Sequence, residues 1–224
     1  MLHIKKFLFN PVCVNTYVIS NDEGKCAIVD CGCWTDGEWN ELKNYLTSNH
    51  LTPIHLLNTH FHLDHVFGNK YVIRDYGLKP SGSPLDYPIY DSLHSQVAMF
   101  FGKRIADSLD YSYSRERGPG LDDGSILSIG DDEIQVLLTP GHSPGGLCFY
   151  SPSNQFILSG DTLFHGSIGR TDLTGGNYQT LLNSIRSKLF VLPDTTIVYP
   201  GHDETTTIGY EKSYNPYIGV DDAY

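Results

Sequence analysis

Short apolar and β-branched runs at residues 3–9, 14–20 and 25–30 are separated by Asn10-Pro11 and by Asn21-Asp22-Glu23-Gly24, a pattern that predicts three β-strands. The period changes over 36–49, where Trp39, Leu42, Tyr45 and Leu46 fall at helical spacing and Asp36 is the expected N-cap. Residues 53–58 return to a buried strand that runs into His60. A short helix is expected over 66–77, and the Pro- and Gly-rich stretch 80–90 reads as irregular. Residues 91–109 set Leu93, Val97, Phe100, Phe101, Ile105 and Leu109 on one helical stripe. Strands follow at 125–129, 133–138, 147–151 and 155–159, then a helix over 177–190 and a strand over 195–199 that leads to His202.

This order is β-rich with a helix, a helical insertion at about 80–122, then β-rich with a helix again. It predicts a mixed α/β (α+β) chain in which two sheets pack together with helices outside. The 224 residues fit one domain spanning 1–224, long enough to bury a core without staples. Neither a repeat nor an interdomain linker interrupts it.

The formal net charge of −11 makes nucleic acid a poor partner, yet leaves room for a small anionic substrate beside a local cation cluster. Cys13, Cys26, Cys31, Cys33 and Cys148 are odd in number, which argues against a disulfide framework. The apolar stretch near the N-terminus is cut by Asn10 and Pro11, too short for a secretory signal. No run approaches the ~18 apolar residues of a membrane span. A cytoplasmic protein without a membrane partner is the expectation.

The chemistry concentrates in T-H-F-H-L-D-H, where His60, His62, Asp64 and His65 occupy four of six consecutive residues. In extended chain, residues i and i+2 point to one side, so His60 and His62 leave the strand together. Asp64 and His65 come one turn later, at the start of the next helix. His142, Asp161 and His202 each follow a β-rich run that ends in glycine, which frees the backbone to turn. Imidazole and carboxylate suit two divalent ions, zinc as first choice with iron or manganese as alternatives. One ion would take His60, His62 and His142, the other Asp64, His65 and His202, with Asp161 bridging. Such a pair lowers the pKa of water to about 7 and supplies a bridging hydroxide, with Asp64 fixing its metal and orienting the nucleophile.

His3, His50, His55 and His94 read as surface or packing positions, and His165 as a candidate pocket residue. Gly141-His142-Ser143-Pro144-Gly145 matches the spacing of a serine nucleophile elbow, but Pro144 has no N–H for an oxyanion hole and a strand-like run follows.

The blocks T-H-F-H-L-D-H, T-P-G-H-S-P-G, S-G-D-T-L-F and Y-P-G-H resemble the metallo-β-lactamase superfamily, and within it the short, single-domain glyoxalase II-like hydrolases. The resemblance implies an αββα four-layer sandwich with metals at one edge of the sheets. It also implies the ligand roles above and Asp30 as a supporting residue, although D-C-G-C stands here where the family has D-P-G. Arg170 and Asp172 are expected as a supporting pair or substrate contacts. The implied activity is hydrolysis of a small acyl-thiol or ester. Only a short tail follows His202, so the helical region that binds glutathione in glyoxalase II proper has no counterpart. Tyr87, Tyr90, Phe100, Phe101, Tyr111 and Tyr113 of the insertion are candidates to wall the pocket instead. The alternative implied by the same blocks is a persulfide dioxygenase with one iron on His60, His142 and Asp161.

Overall fold

The computed structural model describes residues 1–218 and divides the chain into two compact units, Met1–Leu121 and Asp122–Tyr224. In the first, β1 (Leu2–Phe9) and β2 (Val14–Asn21) form an antiparallel hairpin and β3 (Lys25–Val29) pairs with β2. The helix α1 (Asp36–Ser48) then crosses to β4 (Thr52–Leu57), which is parallel to β3. After α2 (Leu63–Val66) and α3 (Asn69–Tyr76), β5 (Pro80–Ser81) completes a sheet of order β1-β2-β3-β4-β5.

The N-cap of α1 is Thr35, one residue before the Asp36 expected from sequence. The Thr35 side chain accepts from Glu38 N and the Glu38 carboxylate accepts from Thr35 N, a reciprocal capping box. Trp39, Leu42 and Leu46 of α1 and Tyr71 and Val72 of α3 pack on Phe7, Val18, Ile28 and Leu56 of the sheet. Each such large side chain contributes about 2 kcal/mol when fully buried. The helix expected over 66–77 is α3, Asn69–Tyr76, and the turn α2 stands apart before it. Gly68 separates them because it lies against Cys31, donating to Cys31 O at 2.7 Å where an added Cβ would stand 2.5 Å from Cys31 Sγ.

The insertion holds α4 (Tyr87–Asp91), α5 (Leu93–Phe101) and α6 (Lys103–Ala106). The single helix expected over 91–109 breaks at Gly102, whose φ of 88° no other residue type adopts easily. Its apolar stripe still packs. Leu93 and Val97 join Tyr90 and Tyr113 around Phe61, Leu63, Val66 and Phe67 in a second core. Tyr90 and Tyr113 are buried in that core, while Phe100 is exposed.

In the second unit β6 (Ile126–Ile129), β7 (Asp132–Leu138), β8 (Leu147–Ser151) and β9 (Phe156–Gly160) run as an antiparallel meander. A small hairpin of β10 (Leu163–Phe164) and β11 (Ser167–Ile168) follows. Next, α7 (Tyr178–Ser184) continues into a π-helical turn, Ile185–Leu189. The strand β12 (Ile197–Pro200) pairs parallel with β9, and β13 (Thr206–Thr207) and α8 (Ile208–Tyr214) finish the unit. Leu181, Leu182, Ile185 and Ile208 pack on Cys148, Tyr150, Ile157 and Val198 of this sheet. Among the described residues no helix is long and apolar enough to cross a membrane.

Candidate metal centre

Parallel strand pairs decide where the candidate ligands emerge. In the first unit β3 and β4 are parallel neighbours, so Asp30, one residue past β3, and Thr59 and His60, just past β4, leave the same edge of the sheet. In the second unit β9 and β12 are parallel neighbours, and Asp161 and His202 leave the same edge there. The register of that pair shifts between Tyr199 and Pro200, and Gly201 N donates to Gly160 O at 2.8 Å.

In the first unit the ligand nitrogens of His60 and His62, and of His60 and His65, lie within 4.8 Å of each other, as do the ligand atoms of Asp64 and His65. His60, His62 and His65 are buried, while Asp64 keeps 15% of its side chain exposed. Asp30 stands behind them in a left-handed conformation, φ 51°, which suits the short polar side chain of Asp. Its carboxylate accepts from Thr59 N at 2.8 Å and Thr59 Oγ1 at 2.6 Å, and Oδ2 lies 3.0 Å from His65 Nδ1.

These contacts fix the proton positions. Thr59 Oγ1 spends its only proton on Asp30, so it can only accept from His60 Nδ1 at 3.1 Å. The His60 ring therefore carries its lone pair on Nε2. His65 Nδ1 lies 3.0 Å from Asp30 Oδ2 and His65 Nε2 lies 3.6 Å from Asp64 Oδ2. An oriented imidazole with an oxygen acceptor behind it is the arrangement that metal-binding histidines use.

The second unit repeats the device with backbone. His142 Nδ1 faces Arg170 O at 2.7 Å; a carbonyl only accepts, so this nitrogen is the donor. His142 Nε2 then lies 3.5 Å from Asp161 Oδ2, and His202 Nε2 reaches the same oxygen at 3.7 Å. Glycines make the close approaches possible. A Cβ on Gly169 would stand 1.8 Å from Asp161 O and 3.2 Å from His142 Nδ1. Gly141, at φ 136°, would meet Leu181 N at 2.3 Å.

Arg170 touches the ligand set through its carbonyl, while its guanidinium forms an exposed pair with Asp172 at 2.7 and 2.8 Å. That pair raises the Arg170 pKa and holds the Asp172 carboxyl down at about 2. His165 is exposed, with its ring 5.0 Å from that of Tyr210. His3 and His94 pair with Asp22 and Asp107 at the surface. Ser143 is fully buried and leads through Pro144 into strand β8, so the strand–turn–helix of a nucleophile elbow does not form. All five cysteines are free thiols. Cys31 and Cys33 are buried with sulfurs 3.9 Å apart, and burial pushes the Cys33 thiol far up, away from thiolate chemistry.

Sequence reasoning did not find several residues that hold the first cluster. Asn10, at φ 57°, donates from Nδ2 to Gly32 O at 3.1 Å and to Asp64 O at 3.0 Å. Asn58 Nδ2 donates to His65 O at 2.9 Å, and Asn69 Nδ2 donates to Asn58 Oδ1 at 3.0 Å. Asn10 sits beside a turn proline and Asn69 opens a helix, positions that read as ordinary turn and cap chemistry in one dimension.

Comparison with known proteins agrees with this geometry. Residues 10–202 match the sequence profile of the metallo-β-lactamase superfamily. The chain is 37% identical over 206 residues to hydroxyacylglutathione hydrolase GloC of Haemophilus influenzae, covering 91% of this chain and 92% of that protein. It is similar in structure to the B3 metallo-β-lactamase BLEG-1, with TM-score 0.86, 33% identity and coverage of 96% and 99%. It also resembles TTHA1623 in a di-iron-bound form, with TM-score 0.82, 33% identity and coverage of 96% and 100%. The fold is therefore the metallo-β-lactamase fold, and the chain belongs to the metallo-β-lactamase superfamily of metallo-hydrolases.

Proposed function

We propose that His60, His62, Asp64, His65, His142, Asp161 and His202 are the ligands of two divalent cations, and that the protein hydrolyses a thioester or ester of a small acyl-thiol. The observation that carries this reading is the fixed tautomer of His60 and His142, each with Nδ1 turned to an oxygen and the lone pair on Nε2. A donor set of oriented neutral imidazoles and carboxylates fits zinc, iron or manganese. Neither unit alone provides two full sets of three protein ligands.

When bound, such cations supply hydroxide near neutral pH and polarise the substrate carbonyl. The chain's own part is positional. Asp30, acting through Thr59, and the Arg170 carbonyl keep the His60 and His142 protons on Nδ1, away from the cations. Asp161 Oδ2 stands between His142 and His202, where it can serve two cations. The partly exposed Asp64 carboxylate is the acceptor that orients the attacking water.

The likeness to GloC supports a hydroxyacyl thioester as first substrate to assay. Zinc-loaded protein should cleave S-lactoylglutathione, followed by loss of thioester absorbance, and a chelator should abolish turnover. A metal-loaded protein inert toward thioesters and esters would reject the proposal. The likeness to a B3 enzyme makes β-lactam amide hydrolysis the second reading, tested with a chromogenic cephalosporin in the same assay. Oxygen uptake with a persulfide, together with one iron per chain, would transfer the chain to dioxygenase chemistry.

A further inference from the structure

The helix α2 is one turn long and carries two of the proposed ligands, Asp64 and His65. One turn gives the N–H groups of its start almost no intrahelical partners. Its N-cap residue is His62, whose ring makes no capping hydrogen bond. Ser, Thr, Asp or Asn would fill that role locally. A histidine held for metal cannot.

The missing acceptor comes from the insertion. Leu63 N donates to Gln96 Oε1 at 2.9 Å, across 33 residues of sequence. The Gln96 amide is oriented without ambiguity, because its Nε2 donates to Ile89 O at 2.7 Å and a carbonyl can only accept. Its oxygen must then face Leu63. The helix α5 that carries Gln96 is fixed in turn by Leu93 and Val97, which pack with Phe61, Leu63, Val66 and Phe67. Along 60–67 the residues at 61, 63, 66 and 67 face this core, and those at 60, 62, 64 and 65 are the proposed ligands.

We infer that Gln96 is the remote helix cap that sets where Asp64 and His65 stand, making it a positioning residue for the metal centre and the insertion a scaffold of the ligand loop. The inference rests on the metal assignment proposed above for Asp64 and His65. It gives the insertion a task that its aromatics, of which Tyr90 and Tyr113 are buried, do not suggest.

The test compares wild type, Gln96→Met and Gln96→Glu by titrating metal-free protein with Zn²⁺ against a chromophoric chelator, and by amide hydrogen exchange at Leu63 without metal. Methionine keeps the length and removes the acceptor. It should weaken one of the two zinc equivalents about tenfold or more, the scale of a lost supporting contact, and leave the other near wild type. Glutamate keeps an acceptor for Leu63 but loses the donation to Ile89, so it should fall between the two. Leu63 exchange should be fastest in Gln96→Met, slower in Gln96→Glu and slowest in wild type. Wild-type affinity for both equivalents in Gln96→Met, or Gln96→Glu no better than Gln96→Met, would overturn the inference. If wild type itself binds no pair of zinc ions, the metal assignment fails; the cap is then judged by Leu63 exchange alone, and equal exchange in all three proteins would overturn it.

Discussion

The two units deliver candidate metal-binding side chains by different means. Met1–Leu121 packs four candidate ligands into residues 60–65 and holds them with side chains: Asn10, Asn58, Asp30 and Gln96 all bond to the loop or its ligands. Asp122–Tyr224 spreads three ligands over the ends of separate strands and holds them with backbone, through the Arg170 carbonyl and the tight approaches of Gly141 and Gly169. A compact motif fails by losing partners. A dispersed one fails when any Cβ intrudes. Both begin from the same sheet feature, a parallel strand pair whose C-terminal ends release ligand and support side by side.

The contrast is sharpest at Asp64. Asp64→Asn should lower kcat by about a thousandfold or more, on the order of 4 kcal/mol of transition-state stabilisation, with an unchanged circular dichroism spectrum. Turnover within tenfold of wild type would remove Asp64 from its role. In the second unit the largest effect should come from a residue with no side chain. Gly169→Ala forces a carbon to 1.8 Å from Asp161 O and should destabilise by about 3 kcal/mol. Denaturant unfolding measures this, and a midpoint equal to wild type would show that the second unit is not held by backbone approach.

Asp30→Asn should weaken zinc binding by about 10- to 100-fold while the chain stays folded. The reason is chemical: an amide removes the charge 3.0 Å from His65 Nδ1 and weakens the acceptor that holds the Thr59 hydroxyl proton, on which the His60 tautomer depends. A zinc titration unchanged by this substitution would argue against the tautomer assignment. The smallest effect is expected at Arg170→Ala, which keeps the carbonyl that His142 uses and removes only an exposed, solvent-screened ion pair. A hundredfold fall in kcat/KM would instead make the Arg170 side chain a substrate contact.

The candidate ligand positions stood out in the sequence because metal chemistry restricts residue type and strand exits restrict spacing. The longer strands of both sheets were legible for a similar reason, since alternation and β-branched runs report burial directly. Gln96 and Gly169 were not legible, because each acts through one contact between segments distant in sequence or brought together only by folding. The helix α8 was also missed. It turns a charged residue inward: Glu211 is fully buried and accepts from Thr206 Oγ1 at 2.6 Å, Asn215 Nδ2 at 2.7 Å and Gly166 N at 3.0 Å. Hydrophobic periodicity cannot register a helix whose buried face is polar. Two-residue strands such as β10, β11 and β13 are too short to alternate at all.

The most direct test of the proposed metal assignment is elemental analysis of purified wild-type protein beside His65→Ala and His142→Ala, one candidate ligand from each unit. The account predicts two divalent cations per chain in wild type and fewer in each variant. Two cations retained in both variants, or none in metal-supplemented wild type, would contradict it.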